Sequence, residues 1–184
     1  GEDPAKVSLL AAQYMKGLQD EGVLASAKHF PGHGDTETDS HYTLPVLGRS
    51  KKEMKAVELV PFEYMIEQGV ASVMVAHLAV PAFDKNKKRP ASLSAKLIEK
   101  QLKQKMGYEG LIITDGLDMK GVTNYYPEGD IALQAFKAGN DVLLIPDNIP
   151  ASIRAIEDAI VNGKIGMERL EESCKKILRY KYLA

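Results

Sequence analysis

Apolar residues along the chain follow two alternating patterns, short continuous runs and stretches at helical spacing. Asp3 caps and Pro4 opens a first helix, with Val7, Leu10, Ala11, Tyr14 and Leu18 on one face and Gly22 beyond its end. Residues 24–27 then form a short apolar run that leads into Lys28 and His29. Ser50 with Glu53 three residues on is a capping box, and Met54 and Val57 start the apolar face of its helix. Pro61 bends or restarts that helix, and Phe62, Met65 and Ile66 carry it to Gly69. Residues 71–77 are a second apolar run, ending at His77. Ser94 caps a helix whose inner face is Leu97, Ile98, Leu102 and Met106, stopped by Gly107. Residues 110–115 form a third run, and Ile131, Leu133, Ala135 and Phe136 mark a helix ending at Gly139. Residues 141–145 are a fourth strand that runs out at Pro146 and Asp147, the latter read as a helix-start residue. Two helices close the chain, one holding Ile153, Ile156 and Ile160, the other Leu170, Cys174, Ile177 and Leu178, with Cys174 in the core.

Strand, loop and helix therefore repeat four times. Short, mostly apolar strands joined through helices predict a parallel sheet buried on both faces. The strands end in Lys28-His29, His77, Asp115 and Asp147, so their polar ends share one edge and build a site on the C-terminal rim. A (β/α)8 barrel takes eight strands in about 250 residues. The fold expected is thus α/β: four parallel βα units, the C-terminal half of a TIM-type barrel, opening on a helix as if cut inside a unit. Residues 1–184 are expected to be a single partial catalytic domain, the front half of the barrel lying elsewhere. A free-standing, flavodoxin-like sheet is the alternative.

Composition narrows the function by exclusion. With 45% hydrophobic and 27% charged residues and a net charge of −1, the chain reads as one globular domain with no electrostatic footprint for nucleic acid or an anionic membrane. No apolar run approaches the roughly 18 residues of a membrane helix. The basic run Lys85, Lys87, Lys88, Arg89 reads as a solvated loop. Neither a leader nor a compartment can be read from the first residues.

The chemistry concentrates in residues 28–41, which hold three of the four histidines among acids, glycines and a proline. Pro45 in the apolar run that follows keeps it from being a central strand. Asp115 ends a buried strand, which would hold its carboxylate in place. Lys28 on the neighbouring rim is a candidate cation to keep it ionised. His41 lies two residues after Asp39, so in an extended loop both face one side. Asp39 can then fix the tautomer of His41 and stabilise its imidazolium. His33, between Gly32 and Gly34, reads as a loop-shaping residue. His77 either lines the pocket or satisfies a buried hydrogen bond; both readings are open here. A metal site from His29, His33, His41 and Asp35 or Asp39 is a rival, but it leaves Asp115 without a role.

Residues 28–41, Lys-His-Phe-Pro-Gly-His-Gly-Asp-Thr-Glu-Thr-Asp-Ser-His, resemble the signature of glycoside hydrolase family 3. The likeness is greatest to its bacterial β-N-acetylglucosaminidases that trim cell-wall muropeptides. Residues 113–119, Ile-Thr-Asp-Gly-Leu-Asp-Met, resemble the family's nucleophile strand, and residues 1–4 the tail of an Arg-Ser-Phe-Gly-x-Asp-Pro segment. The resemblance implies a retaining glycosidase releasing terminal β-linked N-acetylglucosamine. Asp115 would be the catalytic nucleophile, His41 the acid/base and Asp39 its orienting partner. Lys28 and His29 would bind sugar hydroxyls, with no cofactor and no metal; His77, from its place at a strand end, is added to them as a substrate-binding candidate. The substrate would be a small N-acetylglucosamine-containing glycoside, and the missing half of the barrel a possible partner. A loop from Gly32 to His41 would close over bound sugar. Phosphorolysis and an inert or carbohydrate-binding fragment are the other readings.

Overall fold

The computed structural model describes residues 1–34, 43–127 and 129–183. Three strands, β1 (Ser26–Phe30), β2 (Ser72–Val75) and β3 (Leu111–Thr114), form a parallel sheet in the order β1-β2-β3. Ser72 to Val75 pair in step with Leu111 to Thr114, whereas the β1–β2 register shifts between Ala27 and Phe30. Helices α1 (Pro4–Asp20), α2 (Lys51–Ala56) and α3 (Val60–Glu67) surround the β1–β2 crossover. A π-helical segment, Lys96–Lys105, connects β2 to β3. The chain continues through α4 (Lys120–Thr123), α5 (Asp130–Ala138), α6 (Ile149–Val161) and α7 (Met167–Leu183).

The predicted fourth strand shrinks to one parallel bridge, Ile113 with Val142. The Val142 carbonyl accepts from the Thr114 N–H at 3.0 Å, but the Leu144 N–H then donates to the Thr114 hydroxyl at 2.9 Å. A side-chain oxygen there takes over the ladder's next position. Ile145 turns to φ 43°, outside the extended region, and the strand ends.

The caps follow the sequence. Asp3 accepts from the Lys6 N–H, Ser50 and Glu53 close both halves of their capping box, and Gly139 ends α5 in the left-handed region. The cap of α6 is Asn148, which accepts from the Ala151 N–H, and not Asp147. Ser94 does not cap the following helix: its hydroxyl donates to Asp84, and Ala95 takes the cap position without a side-chain bond.

Phe30, Val73 and Ile112 bring the three strands into one core with Met54, Leu97 and Leu102, all fully buried. Each such side chain contributes about 1.5–3 kcal/mol relative to an exposed position. Two helices are rotated from the expected registers. In α1 the buried residues are Ser8, Ala12 and Met15, whereas Leu10 and Tyr14 are 61% and 74% exposed. In α7 Ser173 is buried and Cys174 is exposed, which corrects its reading as a core residue. The cause lies in Asp141: its buried carboxylate accepts from the Ser173 hydroxyl and sits 3.6 Å from Arg169 and 3.5 Å from Lys176. A buried carboxylate demands these partners, and their spacing sets which face of α7 turns inward.

Candidate active site

Asp115 follows the last residue of β3. Its N–H donates to the Val75 carbonyl at 2.9 Å, so the parallel ladder fixes its backbone. One carboxylate oxygen accepts from the Gly116 N–H at 3.0 Å; the other lies 3.8 Å from His29 Nε2. Their side chains are only 16% and 29% exposed. Residues from β1 and β3 thus meet above β2 at the C-terminal rim.

The chain turns back after β1, where the Gly32 N–H donates to the His29 carbonyl at 2.8 Å. Gly32 has φ 125°, and a Cβ there would lie 2.7 Å from the Cβ of Glu58. Only glycine suits that position. His33 sets its ring edge-on to His29, with centroids 5.9 Å apart. Lys28, His29, Gly32, His33, Arg49 and Glu58 line the rim end of a groove of about 730 Å³. The groove continues between α1, α3 and the outer edge of β1, along Val7, Ala11, Tyr14, Leu18, Phe62 and Met65. Most of the apolar stripe read from α1 therefore lines this groove, with Ala11 and Leu18 also packed against the core.

Asp39 and His41 lie outside the described residues, as do Asp35 and most of the loop from Gly32 to His41. Among the described residues, no three His, Cys, Asp or Glu side chains gather where they could hold a metal ion, and no helix is long and apolar enough to cross a membrane.

His77 takes a different place from the one expected of a substrate-binding residue. It is 0% exposed, with Nδ1 2.7 Å from the Ser92 hydroxyl and Nε2 2.7 Å from the Gly116 carbonyl. Both ring nitrogens are engaged inside the protein, so a sugar hydroxyl has none to bond. Burial lowers its pKa; the bond to Gly116 and the charges of Asp115 and Asp118 oppose this without reversing it.

Glu58 was not singled out from the sequence. Its side chain is 6% exposed and sits 3.4 Å from the Arg49 guanidinium. Among the described residues neither of its buried carboxylate oxygens has a hydrogen-bond partner. The only signal was an acid beside the apolar Val57 and Leu59; its burial comes from the approach of Gly32. Ser92 was missed as well, for a hydroxyl far from any motif carries no signal.

An acid and an imidazole at the C-terminal rim of a parallel sheet, beside a glycine-rich turn, define an α/β protein of the barrel type with its chemistry at the strand ends. The chain belongs to glycosyl hydrolase family 3: the model of that family's N-terminal domain matches residues 1–180. It is 33% identical over 199 residues to beta-hexosaminidase A of Pseudoalteromonas piscicida, covering 98% of this chain and 33% of that protein. A family 3 beta-N-acetylglucosaminidase structure from Paenibacillus sp. superposes with a TM-score of 0.92 at 38% identity, covering 96% of this chain and 34% of that one. The beta-glucoside phosphorylase BglX also superposes at 0.92, with 29% identity over 98% of this chain and 34% of its own. The chain spans about a third of the length of these relatives.

Proposed function

We propose that this chain supplies the nucleophile side of a retaining glycosidase that releases β-linked N-acetylglucosamine. The observation that carries the reading is the placement of Asp115, rigid at the end of β3, little exposed and 3.8 Å from His29. The named relatives supply the substrate class. The Asp115 carboxylate attacks the anomeric carbon and the glycosidic bond breaks. His41, oriented by Asp39, gives its proton to the leaving oxygen. Water then attacks the glycosyl–aspartate ester while His41 takes a proton from it, which frees Asp115 and the sugar. An imidazole titrating near neutrality suits both steps. Lys28 and His29 are proposed to hold sugar hydroxyls.

The sheet supports a second element of the proposal. Among the described residues β1 pairs on one side only, and its other edge faces an apolar groove. That edge suits a further parallel strand, so residues 1–184 are read as part of a larger catalytic barrel.

The test is turnover of aryl N-acetylglucosaminides by the complete enzyme. Asp115→Ala should abolish it. His41→Ala should slow poor leaving groups far more than good ones; equal losses would refute the acid role. Phosphorolysis is the second reading, favoured by the likeness to BglX. A neutral imidazole as acid/base would not repel phosphate. N-acetylglucosamine 1-phosphate as the main product in phosphate buffer would replace hydrolase with phosphorylase.

A further inference from the structure

We propose that His77 is a positioning residue for Asp115, tethering the turn that presents its carboxylate. The inference rests on the reading of Asp115 as the nucleophile. The turn after β3 carries glycine, and a Cβ on Gly116 would lie 2.7 Å from Asp118 Oδ1, the end of a side chain that can move aside. A glycine there is the freest residue of the backbone, placed next to the carboxylate that most needs a fixed direction. Gly116 is held at both ends: its N–H donates to Asp115 Oδ1 at 3.0 Å, and its carbonyl lies 2.7 Å from His77 Nε2.

The donor and acceptor roles in this chain follow from chemistry. A carbonyl only accepts, so Nε2 carries the proton. In the neutral ring Nδ1 is then the acceptor, and the Ser92 hydroxyl donates to it at 2.7 Å. The far end is anchored too. The Ser92 N–H donates to the Ala76 carbonyl at 3.2 Å, and its carbonyl accepts from the Asn140 amide at 2.8 Å. Ser92, His77 and Asn140 are all 0% exposed. An unbroken line of buried donors and acceptors therefore runs from Asn140 through Ser92, His77 and Gly116 to the carboxylate. An imidazole that only filled space in the core would need partners, but not the one residue whose freedom blurs Asp115. Groups that orient a reacting side chain in this way change rates about 10–100-fold in comparable metal-site tethers.

The test compares His77→Leu, which fills the volume without a donor, with His77→Gln, whose amide N–H can replace Nε2, and with the milder Ser92→Ala. The readout is the rate at which a mechanism-based fluorosugar with an activated leaving group labels the intact enzyme, a step that needs no proton donor. Melting temperatures are recorded alongside. His77→Leu should label at least tenfold more slowly than wild type with inhibitor binding unchanged. His77→Gln should recover most of the rate, and Ser92→Ala should lose a few-fold. Labelling of His77→Leu at the wild-type rate, or equal losses in Leu and Gln variants, overturns the tether. Nitrogen-15 shifts of His77 that show a proton on Nδ1 instead of Nε2 also overturn it, and they can be read in this chain without turnover. A wild-type enzyme that never labels, or an Asp115→Ala variant that labels normally, overturns the nucleophile reading instead.

Discussion

At Gly32 the backbone takes φ 125° and a Cβ would meet Glu58 at 2.7 Å, so the turn after β1 has no room for a side chain. Gly32→Ala should cost about 1–3 kcal/mol in urea unfolding, the usual cost of a side chain held in a disfavoured backbone region. A variant as stable as the wild type would show that Glu58 gives way freely. His77 yields a pH prediction. Its folded pKa is below the ordinary 6.5, so between the two values the unfolded chain binds the proton that the folded one refuses. The stabilisation is complete above 6.5 and is lost as pH falls below it, at a slope of up to about 1.4 kcal/mol per unit. The charges of Asp115 and Asp118 oppose the effect of burial and so shorten the pH window over which this loss runs. Unfolding midpoints from pH 7 to 5 should fall faster for wild type than for His77→Gln, and parallel curves would refute a neutral buried imidazole. Of these residues, Gly32 and Asp115 announce themselves in the sequence through the local turn and strand pattern. The buried role of His77 does not, because Ser92 and Gly116 are 15 and 39 positions away.

The element best suited to a test is the loop from β2 to the π-helical segment. Lys85, Lys87 and Lys88 of the basic run within it are exposed as expected, but Arg89 stands 3.3 Å from Asp84, which is 2% exposed, and Lys96 at the start of the π-helical segment stands 3.2 Å from it. Burial pushes the Asp84 carboxyl up, but the Ser94 hydroxyl, the Asn86 N–H, Lys96 and Arg89 together hold it below its ordinary value. Stability from this group is therefore present above an ordinary 3.8 and lost as pH falls through its lower folded value. Asp84→Asn should lower stability at pH 7 by about 2–3 kcal/mol, the worth of hydrogen bonds to a buried charged group. The gap from wild type should narrow as pH falls below 3.8, and a gap that stays constant would contradict the ionic role. Helix ends were legible because capping is local: Asp3, Ser50 with Glu53, and Gly139 all act within a turn of their own helix. Helix rotation was not. In α7 the inward face is chosen by Asp141, some thirty residues earlier, so Ser173 and not Cys174 turns in.

Among the described residues the molecule is organised by a sheet whose β1 edge is open. The groove beside β1 and the exposed Leu10 and Tyr14 of α1 leave apolar surface uncovered in this chain by itself. The isolated chain should therefore bind an apolar dye or self-associate, and Leu10→Lys with Tyr14→Lys should reduce both. A monodisperse chain that ignores the dye would show that the groove needs no cover. The alternation of apolar runs and helical stretches determined by itself the α/β class, the order of the elements and the placing of Asp115 at a strand end. Each of those depends on residues a few positions apart, whose backbone preferences are read locally. Only the tertiary structure decided that His29 stands beside Asp115, that His77 meets Gly116 and Ser92, and that Glu58 is buried under Gly32. Those are meetings between residues on different strands and helices, and the distance between two such residues is set by how the sheet pairs and the helices roll, which no short stretch of sequence encodes.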